Sequence, residues 1–187
     1  MRLYALCDQD MLDKKGISIE EFLDIAKSEN AEIIQYRNKR AELPFIKQQL
    51  IKIRKLYEGF LIVNDAYELV EFCDGVHVGQ EDLKKIDPDA KTAADILRKV
   101  IGKDKILGIS THNEAEVLEA NEMDLNYIGL GAFRDTSTKS DISHILGSKL
   151  DPIAKLSKHY VAAIGGVRKE DEFECVTYHV IGSGLLG

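Results

Sequence analysis

Short apolar runs alternate with amphipathic stretches along most of the chain. Each apolar run is five to eight residues long and rich in aliphatic residues, which is typical of strands buried in a sheet. We predict eight strands, at residues 3–8, 32–37, 60–65, 75–79, 106–111, 127–133, 160–167 and 178–182.

The stretches between these runs have the period of amphipathic helices. The clearest one begins at Ser18, because Glu21 follows three residues later and the two residues make the capping-box pattern. Two shorter segments, 66–72 and 169–175, give a weaker helical signal. The stronger helices are predicted at residues 18–29, 43–57, 92–101, 114–122 and 145–158.

Repeated strand-helix units favour an α/β fold with right-handed parallel connections. Eight such strands predict a closed (β/α)8 TIM barrel, with an open doubly wound sheet as the alternative. We expect residues 1–187 to form a single domain, since no linker-like segment interrupts the pattern. Only a few residues follow the eighth strand before Gly187, so we expect the final helix to be truncated.

Polar residues recur where the predicted strands end, which is where β/α barrels gather their reactive groups. Gln35, Arg37 and Lys39 alternate at the end of the second strand, so they share one face of an extended chain. Further strand ends carry Asn64-Asp65, the sequence "GQED" (79–82), Ser110, the loop "RDTSTKSD" (134–141), Gly165-Gly166 and "GSGLLG" (182–187).

These residue types suit a phosphorylated ligand and a metal. Arg37, Lys39 and Lys139 are cations for phosphate oxygens, and Asp65 with Asp82 offers the two carboxylates that commonly hold Mg²⁺ beside substrate phosphates. Gly-rich turns after the seventh and eighth strands would expose backbone N–H groups to a second phosphate. The pattern predicts transfer between two phosphorylated small molecules, or hydrolysis of one.

Structural roles remain open for each residue taken alone. Arg37 and Lys39 could be solvated loop charges, Asp65 could cap the following helix, and Gly165-Gly166 could be an ordinary tight turn. We interpret His77 as a residue of the core or barrel interior rather than a ligand. The site hypothesis rests on the joint occurrence of these residues at several strand ends.

The amino-acid composition limits the kinds of partner that we expect the protein to bind. There are 25 Lys and Arg against 32 Asp and Glu, a net charge of −7, which argues against nucleic-acid binding. Cys7, Cys73 and Cys175 lack zinc-site spacing and are expected to be reduced thiols. No run approaches the ~20 apolar residues of a membrane span, and the first apolar run is too short for a signal peptide. We therefore expect a cytoplasmic protein that does not bind membranes.

Six motifs in order resemble the thiamine-phosphate synthase (thiamine-phosphate pyrophosphorylase) family, over about residues 3–167. The family joins hydroxymethylpyrimidine diphosphate to thiazole phosphate on a β/α barrel, using Mg²⁺ and releasing diphosphate. "DGVHVGQEDL" is the most specific of the motifs. They are "QYRNK" (35–39), "VNDAYELV" (63–70), "DGVHVGQEDL" (74–83), "LGISTH" (107–112), "TSTK" (136–139) and "AIGGV" (163–167).

The resemblance implies a role for each matching residue. The substrates would be a phosphorylated pyrimidine and a phosphorylated thiazole, and Lys139, Ser110 and Arg37 would take part in catalysis. Asp65 and Asp82 would bind Mg²⁺. The implied substrate-binding residues are Arg37, Lys39, Asn64 and Lys139 at the diphosphate, Gln35 and Ser110 at the pyrimidine, and Thr136, Thr138, Gly166 and Ser183 at the thiazole phosphate.

The chain departs from the family after the sixth strand. Arg134 and Asp135, in "GAFRDT" (131–136), stand where the family has an aromatic residue and a proline. Two alternatives stay open: a thiazole tautomerase-like relative, and a non-catalytic sensor of phosphorylated thiamine precursors. The tautomerase branch tends to lose the metal motifs and carries histidine where this chain has Ala132, and a sensor has less need of the Asp65/Asp82 pair.

The short segment after the eighth strand also leads to a prediction about the oligomeric state. The eighth and first strands are both apolar, and their outer faces need a cover. Leaving large side chains wet would cost about 1.5–3 kcal/mol each. We therefore predict that a second subunit covers this seam in a homodimer.

Overall fold

The computed structural model describes residues 1–135 and 145–187. Eight parallel strands close into a barrel in sequence order, and β8 pairs with β1 to complete the ring. The predicted TIM barrel is thus confirmed, and the open sheet is not observed. The strands are β1 (Arg2–Asp8), β2 (Ile33–Arg37), β3 (Phe60–Asn64), β4 (Gly75–Val78), β5 (Ile106–Thr111), β6 (Tyr127–Leu130), β7 (Tyr160–Ala163) and β8 (Tyr178–Ile181).

Helices cover the outside of most of the barrel. The predicted capping box of the second helix is present, because Ser18 Oγ accepts from Glu21 N at 3.2 Å and the Glu21 carboxylate accepts from Ser18 N at 2.7 Å. The α-helices are α1 (Gln9–Lys15), α2 (Ile19–Ser28), α3 (Leu43–Leu56), α4 (Gln80–Ile86), α5 (Ala90–Ile101), α6 (Glu114–Ala120) and α7 (Leu150–Ala154). Short 3-10 helices lie at Tyr67–Phe72, Gly147–Lys149 and Ser183–Leu185.

Several predicted helix bounds were wrong. Residues 169–175 form no helix, since the Asp171 carboxylate is held by Arg134 and by the Arg168 amide instead of facing solvent on a helix. The segment 145–158 contains only a 3-10 turn and the short α7. Two seven-residue helices, α1 and α4, were not predicted because each starts directly at a strand end and is too short to show a clear period.

Side chains alternate across the barrel wall. Along β1, Tyr4 and Leu6 point into the barrel, where they pack with Ile33, Ile62, and Tyr127. The residues between them, such as Ala5 and Cys7, point outward into the larger core beneath the helices. The barrel interior is therefore a packed layer, and access for ligands is confined to its ends.

The seam between β8 and β1 is covered within the chain. Ile181 on β8 is buried, and His179 packs edge-to-face on Phe173 with 5.1 Å between ring centroids. Leu185 is buried in the last 3-10 helix. The premise that these faces stay wet was wrong, because the β7–β8 connection and the residues after β8 cover them. The homodimer itself remains a prediction that sedimentation equilibrium can check.

Within residues 1–135 and 145–187, no helix has the length and apolar character needed to cross a membrane.

Candidate active site at the carboxyl ends of the strands

The end of β2 turns two polar side chains toward the barrel axis. Gln35 is buried and donates from Nε2 to the Tyr4 hydroxyl at 2.5 Å. Arg37 lies opposite Asp8 in the β1–β2 register, and its guanidinium forms an ion pair with the buried Asp8 carboxylate. Arg37 is therefore held at the barrel mouth and is not a solvated loop charge. A guanidinium has five N–H donors, so this pair leaves donors for a phosphate.

Lys39 brings the two predicted metal ligands together. Its ammonium contacts the Asp65 carboxylate and lies 2.8 Å from Asp82 Oδ2. Asp65 follows β3, and Asp82 lies in the first turn of α4. The barrel thus places carboxylates that are 17 positions apart in sequence around the Lys39 ammonium, and their role as Mg²⁺ ligands stays a prediction.

Asp65 is fixed by its neighbours rather than serving as a helix cap. Its φ of 61° is left-handed, a conformation that Asp tolerates better than most residues. Asn64 Nδ2 donates to Oδ2 of Asp65, and the Gly79 amide donates to Oδ1 at 3.1 Å. The 3-10 helix that follows has Ala66 at its N-cap with no side-chain cap bond. The structure thus places Asn64 beside Asp65, while its predicted role at the diphosphate stays a prediction.

The oppositely charged groups at the barrel mouth stabilise one another's charged forms. Burial favours the neutral amine of Lys39, but the hydrogen bonds to Asp65 and Asp82 outweigh it and raise the pKa of Lys39. For Asp82, burial opposes ionisation, while Lys39 and Lys85 outweigh it and lower the pKa of Asp82. Both groups are therefore charged near neutral pH, and the mouth holds a compact set of fixed charges.

The two carboxylates fit a hard divalent cation. A Cβ added at Gly79 would lie 3.7 Å from Asp82 Oδ2 and 3.9 Å from Asp65 Oδ1, so both groups border one small space. Across the part of the chain that the structure describes, no cluster of three or more His, Cys, Asp or Glu is arranged to hold a metal. Two carboxylates alone suit Mg²⁺, which keeps waters and takes further ligands from substrate phosphates.

Ser110, at the end of β5, is tied to residues on two other elements. Its hydroxyl lies 3.0 Å from His77 Nε2, and its carbonyl oxygen accepts from Gln80 Nε2 at 2.7 Å. His77 is buried inside the barrel, as we interpreted it from the sequence. Its second ring nitrogen lies 2.9 Å from the Tyr127 hydroxyl. Ser110 is consequently the upper end of a polar path that runs down into the barrel.

Gly165 and Gly166 allow the loops after β6 and β7 to approach closely. Both have positive φ, 83° and 67°, and a Cβ on Gly166 would lie 2.7 Å from Cβ of Arg134. The turn is therefore required for packing, whatever else its amides bind. Ser183 starts the 3-10 helix after β8, where a Cβ on Gly184 would lie 4.0 Å from the Val167 carbonyl oxygen. The two Gly-rich turns are thus neighbours.

Arg134, a departure from the family pattern, has a structural role. Its guanidinium makes a two-pronged ion pair with Asp171, at 2.7 and 2.6 Å, and donates to the Gly166 carbonyl at 3.0 Å. It also lies over the Phe133 ring, 4.3 Å from the centroid. The loop after β6 is therefore anchored to the β7–β8 connection without the aromatic residue and proline.

Sequence reasoning did not assign Asp8, Tyr4 or Tyr127 to the site. Asp8 was visible as the polar end of the first strand, and the two tyrosines as hydroxyls within apolar strands. Neither signal identifies the residue that each side chain contacts, because those contacts are made with other strands. Thr136, Thr138 and Lys139, predicted for substrate binding, lie outside the described residues.

Together, the barrel and its mouth define a class: a β/α-barrel protein with cations and paired carboxylates gathered at the carboxyl ends of its strands. The family model for thiamine monophosphate synthase matches residues 3–183. The chain belongs to that family.

Curated relatives agree with this assignment. The chain is 32% identical over 176 residues to thiamine-phosphate synthase of Persephonella marina, covering 91% of this chain and 79% of that protein. It is 36% identical over 163 residues to thiamine-phosphate synthase of Methanobrevibacter smithii, covering 83% and 74%. Relatives that carry this name are enzymes of the transferase class.

A solved structure shares the fold. Thiamine phosphate pyrophosphorylase from Pyrococcus furiosus superposes with a TM-score of 0.77 and 24% identity, covering 97% of this chain and 85% of that one. At 24% identity, this similarity supports the assignment of the barrel fold and nothing further.

Proposed function

We propose that the protein is a thiamine-phosphate synthase that joins hydroxymethylpyrimidine diphosphate to thiazole phosphate and releases diphosphate. The observation that carries the proposal is the contact of the Lys39 ammonium with both Asp65 and Asp82 at the barrel mouth, in a chain of this family. Neither the tautomerase-like alternative nor the sensor alternative is favoured, because the relatives are named thiamine-phosphate synthase.

The diphosphate would bind among the cations at the end of β2. Arg37 offers a fork of donors, and Lys39 offers a point charge within reach of both carboxylates. Asn64 supports Asp65 from the side. Lys139 is proposed as a third cation on the basis of the family motif alone.

Asp65 and Asp82 are the residues proposed to hold Mg²⁺. When bound, Mg²⁺ neutralises negative charge on diphosphate. The fit rests on the hard oxygen donors and the shared space above Gly79.

The proposed reaction needs no protein nucleophile. The carbon–oxygen bond to the diphosphate breaks, and its electron pair leaves with the diphosphate. The pyrimidine methylene becomes cation-like, and the thiazole nitrogen supplies the electron pair of the new carbon–nitrogen bond. Arg37 and Lys39 stabilise the charge that grows on the departing diphosphate, which lowers the barrier more than it strengthens substrate binding.

The second phosphate is assigned to the neighbouring Gly-rich turns. Gly166 and Ser183 are proposed there because the loops after β7 and β8 adjoin, and Thr136 and Thr138 are proposed from the family motif. A cytoplasmic location is likewise a proposal that rests on the sequence.

The direct test is mass-spectrometric detection of thiamine phosphate from the two substrates with Mg²⁺. We expect Asp82→Asn to lower turnover by about 10²–10³. Glu81 is an exposed acid in the same helical turn, and Glu81→Gln should keep turnover unchanged. Failure of the wild-type chain to form thiamine phosphate, with intact binding of phosphorylated precursors, would favour the sensor alternative.

A further inference from the structure

Five side chains from five strands form one hydrogen-bonded path through the barrel interior. Gln35 Nε2 donates to Tyr4 Oη at 2.5 Å, and Tyr4 Oη lies 2.8 Å from Tyr127 Oη. Tyr127 Oη lies 2.9 Å from His77 Nδ1, and His77 Nε2 lies 3.0 Å from Ser110 Oγ. The path therefore joins the two residues proposed at the pyrimidine, Gln35 and Ser110, through three residues to which the proposed reaction gives no role.

The interior is shaped to hold this path. A Cβ on Gly108 would lie 2.2 Å from Cζ of the Tyr127 ring, so only glycine at that position leaves room for the tyrosine. The rings of His77 and Tyr127 stack with centroids 5.5 Å apart, and Tyr4 meets Tyr127 edge-on at 5.9 Å. Such contacts restrict ring rotation, so the hydroxyl positions are fixed by packing as well as by hydrogen bonds.

The direction of the hydrogen bonds follows from counting donors. Each tyrosine hydroxyl has one hydrogen to donate. Since Gln35 already donates to Tyr4, the Tyr4 hydrogen goes to Tyr127, and the Tyr127 hydrogen goes to His77 Nδ1. Burial raises the pKa of both Tyr4 and Tyr127, so both keep that hydrogen at neutral pH. With Nδ1 accepting, a neutral His77 ring has its hydrogen on Nε2 and donates it to Ser110 Oγ.

This direction sets the chemistry at both ends. The Ser110 hydroxyl accepts from His77, so its own hydrogen is available as a donor at the barrel mouth. The Gln35 amide donates one hydrogen to Tyr4, and its oxygen, on the other side of the amide, is available as an acceptor. One acceptor and one donor match a 4-aminopyrimidine, whose amino group donates and whose ring nitrogen accepts. A 4-oxopyrimidine presents the reverse pattern, so its carbonyl oxygen would face the Gln35 oxygen with no hydrogen between them.

We propose that Tyr4, Tyr127 and His77 are positioning residues that fix the hydrogen-bond polarity of Gln35 and Ser110 and thereby select an aminopyrimidine diphosphate over its oxo analogue. This inference rests on the proposed function, because it assumes that the pyrimidine ring contacts Gln35 and Ser110.

The first test compares kcat/KM for the 4-amino substrate and the 4-oxo analogue. We expect Tyr127→Phe to reduce the wild-type preference by about tenfold or more, as one oriented hydrogen bond to the ligand is lost. Tyr4→Phe should act in the same direction. Tyr57→Phe is the matched control, since it removes a buried hydroxyl that donates to Ala31 O at 2.7 Å outside the barrel and should leave the preference unchanged.

The second test needs neither substrate nor variant. Nitrogen chemical shifts of His77 in the wild-type protein report its tautomer, and we expect the hydrogen on Nε2. A hydrogen on Nδ1 reverses the path and overturns the proposal, as does an unchanged preference in folded Tyr127→Phe and Tyr4→Phe. Absence of thiamine phosphate formation would instead defeat the proposed function, while the tautomer would still decide the direction of the path.

Discussion

Lys39 has two proposed roles, which belong to different stages of ligand binding. Its ammonium contacts both Asp65 and Asp82, which are the proposed Mg²⁺ ligands, and it is also a proposed diphosphate ligand. An ammonium between two carboxylates competes with any other cation for the same oxygens. Arrival of a diphosphate would give Lys39 a new anionic partner, so metal and diphosphate should favour each other's binding.

We therefore expect Lys39→Met to change two affinities in opposite directions. Binding of Mn²⁺, as a probe without diphosphate, should tighten about three- to tenfold because a competing cation is removed. Binding of diphosphate alone should weaken about tenfold because a phosphate ligand is lost. Isothermal titration calorimetry measures both affinities.

The control is Lys85→Met, which removes a more exposed lysine that contacts Asp82 on its other oxygen, at 2.7 Å. It should have a smaller effect on Mn²⁺ and little effect on diphosphate. Weaker Mn²⁺ binding by Lys39→Met would contradict the competition.

At the scale of elements, the loop after β6 and the β7–β8 connection hold each other in place. The loop after β6 contributes Arg134, and the β7–β8 connection contributes Asp171, whose carboxylate is nearly buried. Arg134 donates its backbone amide to the Gly165 carbonyl at 2.8 Å, which extends the contact to the Gly-Gly turn. The β7–β8 connection, which has no helix among its described residues, is therefore ordered through its neighbour.

Removing this anchor should loosen the β7–β8 connection locally. We expect Arg134→Met to leave Asp171 short of its main cationic partner and to speed amide hydrogen exchange over residues 168–173, with little change in the barrel strands. Arg168→Met is the control, because its exposed side chain is 3.9 Å from Glu170 while its backbone amide keeps the bond to Asp171. Equal exchange in the two variants would show that the ion pair does not order the connection.

At the scale of the whole molecule, the strand that closes the barrel, β8, carries a buried histidine. His179 lies on the outer face of β8 against Phe173, and its Nδ1 has no hydrogen-bond partner within the described residues. Burial lowers the pKa of His179, with a smaller opposing effect from the Arg168 carbonyl and from Asp171, while the chain's amino terminus lowers it further. Folding therefore favours the neutral imidazole.

This shift makes global stability depend on pH. An unfolded histidine titrates near 6.5, so the unfolded chain binds a proton more readily than the folded chain. The stability due to neutral His179 should be fully present above about pH 6.5 and be lost as pH falls toward the lower folded pKa. Urea unfolding between pH 5 and 8 measures the slope.

We expect His179→Gln to flatten that slope, because the variant cannot titrate there. His159→Gln is the control: its ring bonds the Ala120 carbonyl outside the seam, at 2.9 Å. A slope unaffected by His179→Gln would mean that other groups set the acid limit of stability.

The sequence pattern correctly predicted those features of the fold that depend on residues close together in the chain. Strand alternation such as Tyr4 in and Ala5 out has a period of two, and the capping box at Ser18 spans three residues. The rule that parallel strands end on one side of a barrel placed Gln35, Lys39, Asp65 and Ser110 at a common mouth. Short helices such as α1 were missed because seven residues carry too little periodic signal.

The sequence by itself determined the barrel, its family and the side on which the polar residues gather. Only the tertiary structure decided which of them touch. The pair of Arg37 with Asp8 depends on strand register, and the path from Gln35 to Ser110 depends on closure of five strands around one axis. Phe173 packs on the outer face of β8, and it lies in the segment 169–175, where the sequence pattern had predicted a helix. Local periodicity is fixed by neighbours along the chain, whereas these contacts are fixed by packing between residues distant in sequence, which no local pattern encodes.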